Sequence, residues 1–184
     1  FQEIKEKLIG CFKEEEIYLL DHYLGKEAIR NIYYLRYANP ILEELLKNSL
    51  IEHIEIAALE PGGLEGRSGY FEHTGTLRDM FQSHLLMIAS LLTMQLRDKE
   101  DSLRTSRIDA LAQLYIPPAS DLNDVILQGQ YGAGDNAVGY KEEEGVDPTS
   151  RTNTFVALKL LSRAHGWDGV PVSYTHLTLP TTRL

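Results

Sequence analysis

The segment "DHYLGKE", which begins at Asp21, gathers an acid, an imidazole, a phenol and an amine within six residues. His22 and Lys26 are four positions apart, so on a helix they would share one face. The first turn of a helix offers free N–H groups and a positive dipole end, and such donors suit a phosphate group. The segment therefore predicts an anion site. Spacing alone favours a simpler interpretation, an N-cap Asp21 followed by a solvated Lys26.

The second candidate is His84, which stands on an apolar stripe that runs at helical spacing from Leu77 to Leu91. A lone histidine on such a stripe is more often a satisfied core residue than a catalyst. It becomes a general base when a carboxylate orients its ring and the second ring nitrogen faces a substrate hydroxyl. Asp79 is five positions away, which an α-helix does not bring beside His84, so the orienting carboxylate must come from elsewhere in the chain, and Asp21 is one candidate.

Two further acids, Glu60 and Asp79, could accept hydrogen bonds from the hydroxyl groups of a sugar. Each also has an ordinary structural explanation, because Glu60 ends a predicted strand and Asp79 lies in the first turn of a predicted helix. The six histidines form no H-x-x-x-H pair, and the single cysteine offers no partner for them. No metal site is therefore predicted.

Composition limits the classes of partner. The 184-residue chain is 43% hydrophobic and 24% charged, with a formal net charge of −9. This acidic balance argues against a nucleic-acid or anionic-membrane partner. No apolar run is long enough to span a membrane. The single Cys11 excludes an internal disulfide, suits a reducing compartment and is expected to be a small core residue.

The periodic segments that must position these residues predict an α+β fold, with long helices beside an antiparallel sheet. Helical patterns cover residues 1–13, 26–38, 41–47, 76–96 and 102–115. Strand patterns occur in "EIYLLD", "IEHIEIAALE", "VILQGQY" and "TFVALKLLS". "GAGDNA", residues 132–137, matches a dinucleotide fingerprint, but the sequence after it lacks a helical stripe, so a loop is predicted there.

The two ends of the chain look cut, since it starts at Phe1 and closes in "SYTHLTLPTTRL", residues 173–184. This last segment resembles a translated sequencing adaptor, so no functional residue is expected in it. A natural strand and turn is the alternative interpretation of the same residues.

Six segments, taken in order, resemble the glucose-6-phosphate dehydrogenase family: "DHYLGKE", "LRYANPILEEL", "EPGGLEGRSGYFEHTGTLRDMFQSHLL", "LQGQYGAG", "GYKEEEGVDPTSRTNTFVALKL" and "WDGVP". They cover nearly all of the chain as far as Pro171. The combination of "DHYLGKE" with a later "RDM-Q--H" is highly specific.

The resemblance implies a role for each candidate residue. His84 matches the general base that removes a proton from the C1 hydroxyl of glucose 6-phosphate, and Asp21 matches the carboxylate that orients this base. His22, Tyr23 and Lys26 match the phosphate-binding cluster. Glu60 and Asp79 match acids that hold the sugar. Hydride would pass from C1 to NADP, which gives 6-phosphogluconolactone in the oxidative pentose phosphate pathway.

The resemblance also implies the organisation of the chain. Residues 1–20 would be the last helix and strand of a truncated Rossmann-type NADP-binding domain, so that no cofactor-binding residue is expected in this chain. Residues 21–172 would be the first part of a glucose-6-phosphate-binding domain, with a large, mainly antiparallel sheet and long helices on one side. The family forms homodimers or homotetramers and is cytoplasmic. We expect the fragment itself to be inactive.

Three positions depart from the family pattern. Leu19 stands where the family often has Arg, and Ser83 stands where Asn usually precedes the base. After Val172 the family continues into "R-T-G-K", whose lysine contacts substrate, and that lysine is missing here.

Two other functions remain open from the residues alone. One is a non-catalytic module that binds a sugar phosphate through Lys26 and His22. The other is a sugar-phosphate hydrolase or isomerase that uses Glu60 or His84.

Overall fold

A computed structural model describes residues 2–18, 20, 22–60, 62–95, 103–134 and 138–178. Helices dominate the first two thirds of the chain, and most of the predicted helical segments are confirmed. The α-helices are α1 (Gln2–Ile9), α2 (His22–Gly25), α3 (Glu27–Ala38), α4 (Pro40–Leu45), α5 (Ser68–Thr76), α6 (Leu86–Thr93) and α7 (Leu103–Ala112). A π-helix (Leu77–Leu85) joins α5 to α6, and 3₁₀ turns lie at Glu14–Glu16, Leu122–Asp124 and Tyr140–Glu142. Within these ranges, no helix combines the length and the apolar content that a bilayer crossing requires.

The strands form one mixed sheet. They are β1 (Ile54–Glu60), β2 (Leu114–Tyr115), β3 (Ile126–Gly129), β4 (Phe155–Ser162) and β5 (Pro171–Thr178). The strand order is β1-β5-β4-β2, and β3 also pairs with β4. Only β1 and β5 run parallel, while β4 is antiparallel to its three partners. The predicted α+β class and mainly antiparallel sheet are therefore confirmed.

The main core lies between one face of this sheet and the helices. Alternate residues of β4, among them Val156, Leu158 and Leu160, are buried, as the two-residue period of a strand requires. Leu85 and Ala89 from the helical segment 77–93 belong to the same apolar cluster. The sheet thereby fixes the position of the helix that carries His84, and the predicted arrangement of helices on one side is confirmed.

A second packing region, with apolar and polar contacts, holds the loop excursion of residues 130–153 against α5. Glu72 accepts hydrogen bonds from Ser150 Oγ at 2.7 Å and from the Tyr140 hydroxyl. Burial and the neighbouring Glu72 carboxylate raise the pKa of Tyr140, so its hydroxyl remains a donor. This excursion contains residues 132–137, the segment that matched a dinucleotide fingerprint. Residues 132–134 lie in no helix, as expected for a loop, while residues 135–137 lie outside the described residues.

Three local expectations differ from the structure. The segment "EIYLLD" forms no strand in its described part, because no strand of the sheet pairs with it and Tyr18 and Leu20 are exposed. Cys11 is exposed and not in the core. Residues 114–115, expected at the end of a helix, form the short strand β2, because backbone pairing with β4 outweighs local helical preference there.

The suspected tail begins inside β5. Ser173 pairs with Glu55 of β1 on one side and with Lys159 of β4 on the other. The strand interpretation thus describes the backbone up to residue 178, and residues 179–184 lie outside the described part. Strand pairing does not bear on the origin of this segment, so the adaptor hypothesis stays a prediction.

Arg36 is a buried charge that links α3, α4 and α6. Its Nε and Nη2 donate to the two carboxylate oxygens of Glu43 at 2.9 and 2.7 Å. Its Nη1 and Nη2 also donate to the carbonyls of Leu91 and Met94, at 2.5 and 2.8 Å, where α6 ends. The planar guanidinium satisfies four acceptors that a lysine ammonium could not match in this geometry.

Replacing Arg36 with Lys should lower the free energy of unfolding of the 184-residue chain by roughly 2–4 kcal/mol, because buried acceptors lose their donors. Urea unfolding followed by circular dichroism measures the change. Arg30→Lys on the same helix is the matched control, since Arg30 is exposed, and should stay within about 0.5 kcal/mol. Equal effects of the two substitutions would contradict the assigned role of Arg36.

Candidate functional site

The helix that carries His84 has an unusual register. Residues Leu77–Leu85 form a π-helix, in which the Leu86 N–H donates to the Phe81 carbonyl five residues earlier. Ser83 Oγ also donates to the carbonyl of Arg78, five residues before it, at 2.8 Å. Wide turns of this kind interrupt α-helices rarely and often at functional sites. The helix predicted at 76–96 is thus present from Leu77 to Thr93, with a first half of a different type.

The π-helix begins immediately after a break at Gly75. This residue has φ 62° and ψ 167°, a combination that is essentially restricted to glycine. The Thr76 N–H and hydroxyl both donate to the Asn153 carbonyl, at 3.2 and 3.1 Å. The excursion that ends at Asn153 therefore holds the point from which the helix of Asp79 and His84 starts.

His84 lies against the "DHYLGKE" segment, residues 21–27, although the segment stands 57 to 63 positions before it in the chain. Its ring stacks on Tyr23, with centroids 4.0 Å apart and an interplanar angle of 14°. The His22 ring meets it edge-on at 4.6 Å. Only 9% of His84 is exposed, so the expected burial is real, but its ring contacts polar aromatic neighbours and not only the aliphatic core.

Lys26 also lies against the Tyr23 ring. Its Nζ is 3.6 Å from the centroid of the Tyr23 ring, a cation–π contact. Lys26 has extended backbone angles and separates α2 from α3, so His22 and Lys26 do not share the face of one helix as the spacing suggested. A break at this position still leaves both side chains in contact with Tyr23, through which they form one group.

Two carboxylates, Glu60 at the end of β1 and Asp79 in the π-helix, lie close enough to Tyr23 for their charges to act on it. Burial raises the pKa of Tyr23, and the negative charges of Glu60 and Asp79 raise it further. The Tyr23 hydroxyl therefore stays protonated at neutral pH and can donate a hydrogen bond. The structure thus gathers six predicted residues into a site cluster: His22, Tyr23, Lys26, Glu60, Asp79 and His84.

Asp21 and Leu19 lie outside the described residues, so the predicted carboxylate partner of His84 has no described position. Asp21 directly precedes His22, whose ring is in contact with His84.

The sequence did not single out two residues that border this cluster. Tyr70 of α5 donates its hydroxyl to Asp79 Oδ1 at 2.9 Å. His176 of β5 is 1% exposed; burial lowers its pKa, while Glu60 and Asp79 oppose that shift. No local pattern marks Tyr70, because its contact crosses the break at Gly75. His176 lies in the segment that was set aside as a suspected adaptor.

Comparison with protein families gives two matches. A model of the C-terminal domain of glucose-6-phosphate dehydrogenase matches residues 33–175. A model of the NAD-binding domain of the same enzyme matches residues 1–31.

Individual relatives agree with these matches. Glucose-6-phosphate 1-dehydrogenase of Dickeya dadantii is 37% identical over 174 residues, which cover 91% of this chain and 35% of the relative. The enzyme of Mycolicibacterium smegmatis is 39% identical over 175 residues, with 92% and 35% covered. The chain therefore spans about a third of the length of these curated relatives.

Two solved structures share the fold. A glucose-6-phosphate dehydrogenase in complex with its substrate glucose 6-phosphate superposes with a TM-score of 0.83 at 35% identity, covering 96% of this chain and 37% of that one. Glucose-6-phosphate 1-dehydrogenase from Mycobacterium avium gives a TM-score of 0.78 at 28% identity, covering 96% and 38%.

Gly75→Ala should lower the free energy of unfolding by about 1–3 kcal/mol, because a side chain is strained at this positive φ. An added Cβ would also lie 3.4 Å from Asn153 and Thr152 atoms. Gly69→Ala in α5 is the control, since nothing lies within 4 Å of its added Cβ, and it should be neutral or stabilising by up to about 1 kcal/mol. Urea unfolding of the 184-residue chain compares them, and an unaffected Gly75→Ala would contradict the assigned break.

Stability should also depend on pH through His176. Its pKa in the folded chain lies below the usual 6.5, so the unfolded chain binds the proton more readily. The contribution of neutral His176 to the free energy of unfolding is complete above about pH 6.5, and it is lost as the pH falls towards the pKa of His176 in the folded chain. Urea unfolding at pH 7.5 and 5.5 should show a smaller pH-dependent loss for His176→Leu than for the parent chain. An identical loss in both would show that His176 titrates normally.

Proposed function

The chain belongs to the glucose-6-phosphate dehydrogenase family, and we propose that the full-length protein oxidises glucose 6-phosphate to 6-phosphogluconolactone with hydride transfer to NADP. The single observation that supports this most directly is the contact of His84 with Tyr23 and His22. It joins a candidate base to a candidate phosphate-binding segment.

His84 would act as the general base of the reaction. Removal of the proton from the C1 hydroxyl raises electron density on that oxygen, which favours departure of the C1 hydrogen as hydride while the C=O bond forms. NADP, when bound, accepts this hydride. Asp21 would orient His84 and stabilise its protonated form, and its place beside His22 in the chain supports this role.

His22, Tyr23 and Lys26 would bind the phosphate of the substrate. The Tyr23 hydroxyl is protonated at neutral pH, and burial raises its pKa further, so it can donate to a phosphate oxygen. The Lys26 ammonium lies beside the same ring and supplies the positive charge. Binding the remote phosphate in this way would help to orient C1 next to His84.

Glu60 and Asp79 would accept hydrogen bonds from the sugar hydroxyls. Both carboxylates are close enough to Tyr23 to shift its pKa, which supports placing them around the same ligand.

The organisation of the full-length protein follows from the same proposal. We assign residues 1–20 to the end of an NADP-binding domain and 21–172 to the substrate domain, with the NADP site outside the 184-residue chain. Residues 173–184 remain a suspected adaptor-derived tail. A homodimer or homotetramer is expected, as the family resemblance implies. A cytoplasmic location is also proposed, and the free, exposed Cys11 suits a reducing compartment.

The direct test is NADPH formation from glucose 6-phosphate by the full-length protein, re-cloned from its source. His84→Asn should lower kcat/KM by about 10²–10⁴-fold, because proton removal loses its base. His53→Asn is the matched control, since His53 is exposed just before β1, and it should keep parental activity.

No turnover by the full-length protein, together with retained binding of glucose 6-phosphate, would overturn the dehydrogenase proposal in favour of a binding module. Product formed without NADP would point to a hydrolase or isomerase.

A further inference from the structure

We infer that Tyr70 is a positioning residue for Asp79, and that its hydroxyl sets the orientation in which this carboxylate meets the sugar. The inference rests on the proposed function of the site cluster. Its starting observation is the hydrogen bond from the Tyr70 hydroxyl to Asp79 Oδ1, at 2.9 Å.

This contact is not a local helical pair. In one continuous α-helix, nine residues span about 13 Å and two and a half turns, which would put Tyr70 and Asp79 on opposite faces. They meet because the backbone breaks at Gly75, between α5 and the π-helix. The hydrogen bond thus joins two helical segments across a bend that only glycine readily adopts.

The bend itself is held from outside the two helices. Thr152 Oγ1 donates to the carbonyl of Glu72, in the middle of α5, at 3.2 Å. The Asn153 carbonyl accepts from both the N–H and the hydroxyl of Thr76. These contacts hold the backbone on both sides of Gly75. They therefore maintain the bend that brings the Tyr70 ring next to Asp79.

The hydrogen bond engages one of the two oxygens of Asp79. The same carboxylate raises the pKa of Tyr23, so its charge is felt at the ring that stacks on His84. With Oδ1 engaged by Tyr70, rotation of the carboxyl group is restricted, and Oδ2 is left to accept a hydrogen bond from a ligand. Tyr70 would therefore favour one binding pose of the sugar without touching the reacting atoms.

The exposure of Tyr70 indicates that its hydroxyl contributes little to the stability of the fold. It is 57% exposed, so it contributes little to the core. Tyr37 of α3 offers a matched comparison, with 58% exposure and a ring that contacts Tyr33. Loss of either hydroxyl should have similar, small effects on stability.

The experiment compares Tyr70→Phe and Tyr37→Phe in the full-length protein, by KM and kcat for glucose 6-phosphate and by the Kd of glucose 6-phosphate from calorimetry. Tyr70→Phe should raise KM and Kd about threefold to tenfold and change kcat less than about twofold, as expected for lost ground-state binding. Tyr37→Phe should leave KM, kcat and Kd unchanged. The melting temperatures of the Tyr70→Phe and Tyr37→Phe variants should agree.

A double-mutant cycle separates positioning from general weakening. In an Asp79→Ala background, Tyr70→Phe should no longer change the Kd, because the carboxylate that it positions is gone. An undiminished effect of Tyr70→Phe in that background, or equal Kd values for Tyr70→Phe and the parent, would overturn the inference.

The Kd measurement also distinguishes failure of the dehydrogenase proposal from failure of the role inferred for Tyr70. A full-length protein that binds glucose 6-phosphate without forming NADPH would remove the dehydrogenase proposal and leave the Tyr70 cycle measurable. A protein that does not bind glucose 6-phosphate at all would overturn both.

Discussion

The stacking of His84 on Tyr23 is the interaction on which the candidate site depends. It connects α2, which lies within the "DHYLGKE" segment, to the π-helix that packs on the sheet. The main core on one side and the aromatic group on the other restrict the position of His84. Its ring therefore stays beside the imidazole of His22 and against the Tyr23 ring, which also contacts the Lys26 ammonium.

A second constraint is the backbone break at Gly75, because it sets the direction of the helix that carries Asp79 and His84. The π-register then changes which residues can share a side: hydrogen bonds connect positions five apart, as Leu86 and Phe81 show. The same number of residues separates Asp79 from His84. A spacing of five residues separates Asp79 and His84 on an α-helix, but it does not exclude that they lie on the same side of a π-helix. The excursion of residues 130–153 supports the break, so a segment remote from the cluster contributes to its geometry.

Much of the fold could be predicted from local patterns, because alternation in β1 and β4 and the apolar stripe from Leu77 to Leu91 report burial directly. The site residues were found through the family resemblance, since spacing alone favoured ordinary explanations for His84 and Lys26. No local pattern marks the π-register of residues 77–85. The break at Gly75 could not be predicted either, because the adjoining Thr76 is held by hydrogen bonds to Asn153, which is distant in the sequence. For the same reason the contact of Tyr70 with Asp79 carried no signal in the sequence.

Taken together, the aromatic and charged groups around His84 are proposed to bind a single sugar phosphate. The most direct measurement is a crystal structure of the full-length protein with glucose 6-phosphate. We expect the phosphate to lie within hydrogen-bond distance of His22, Tyr23 and Lys26, and the C1 hydroxyl to lie beside His84. A sugar phosphate bound away from these residues, or bound with C1 directed away from His84, would contradict it.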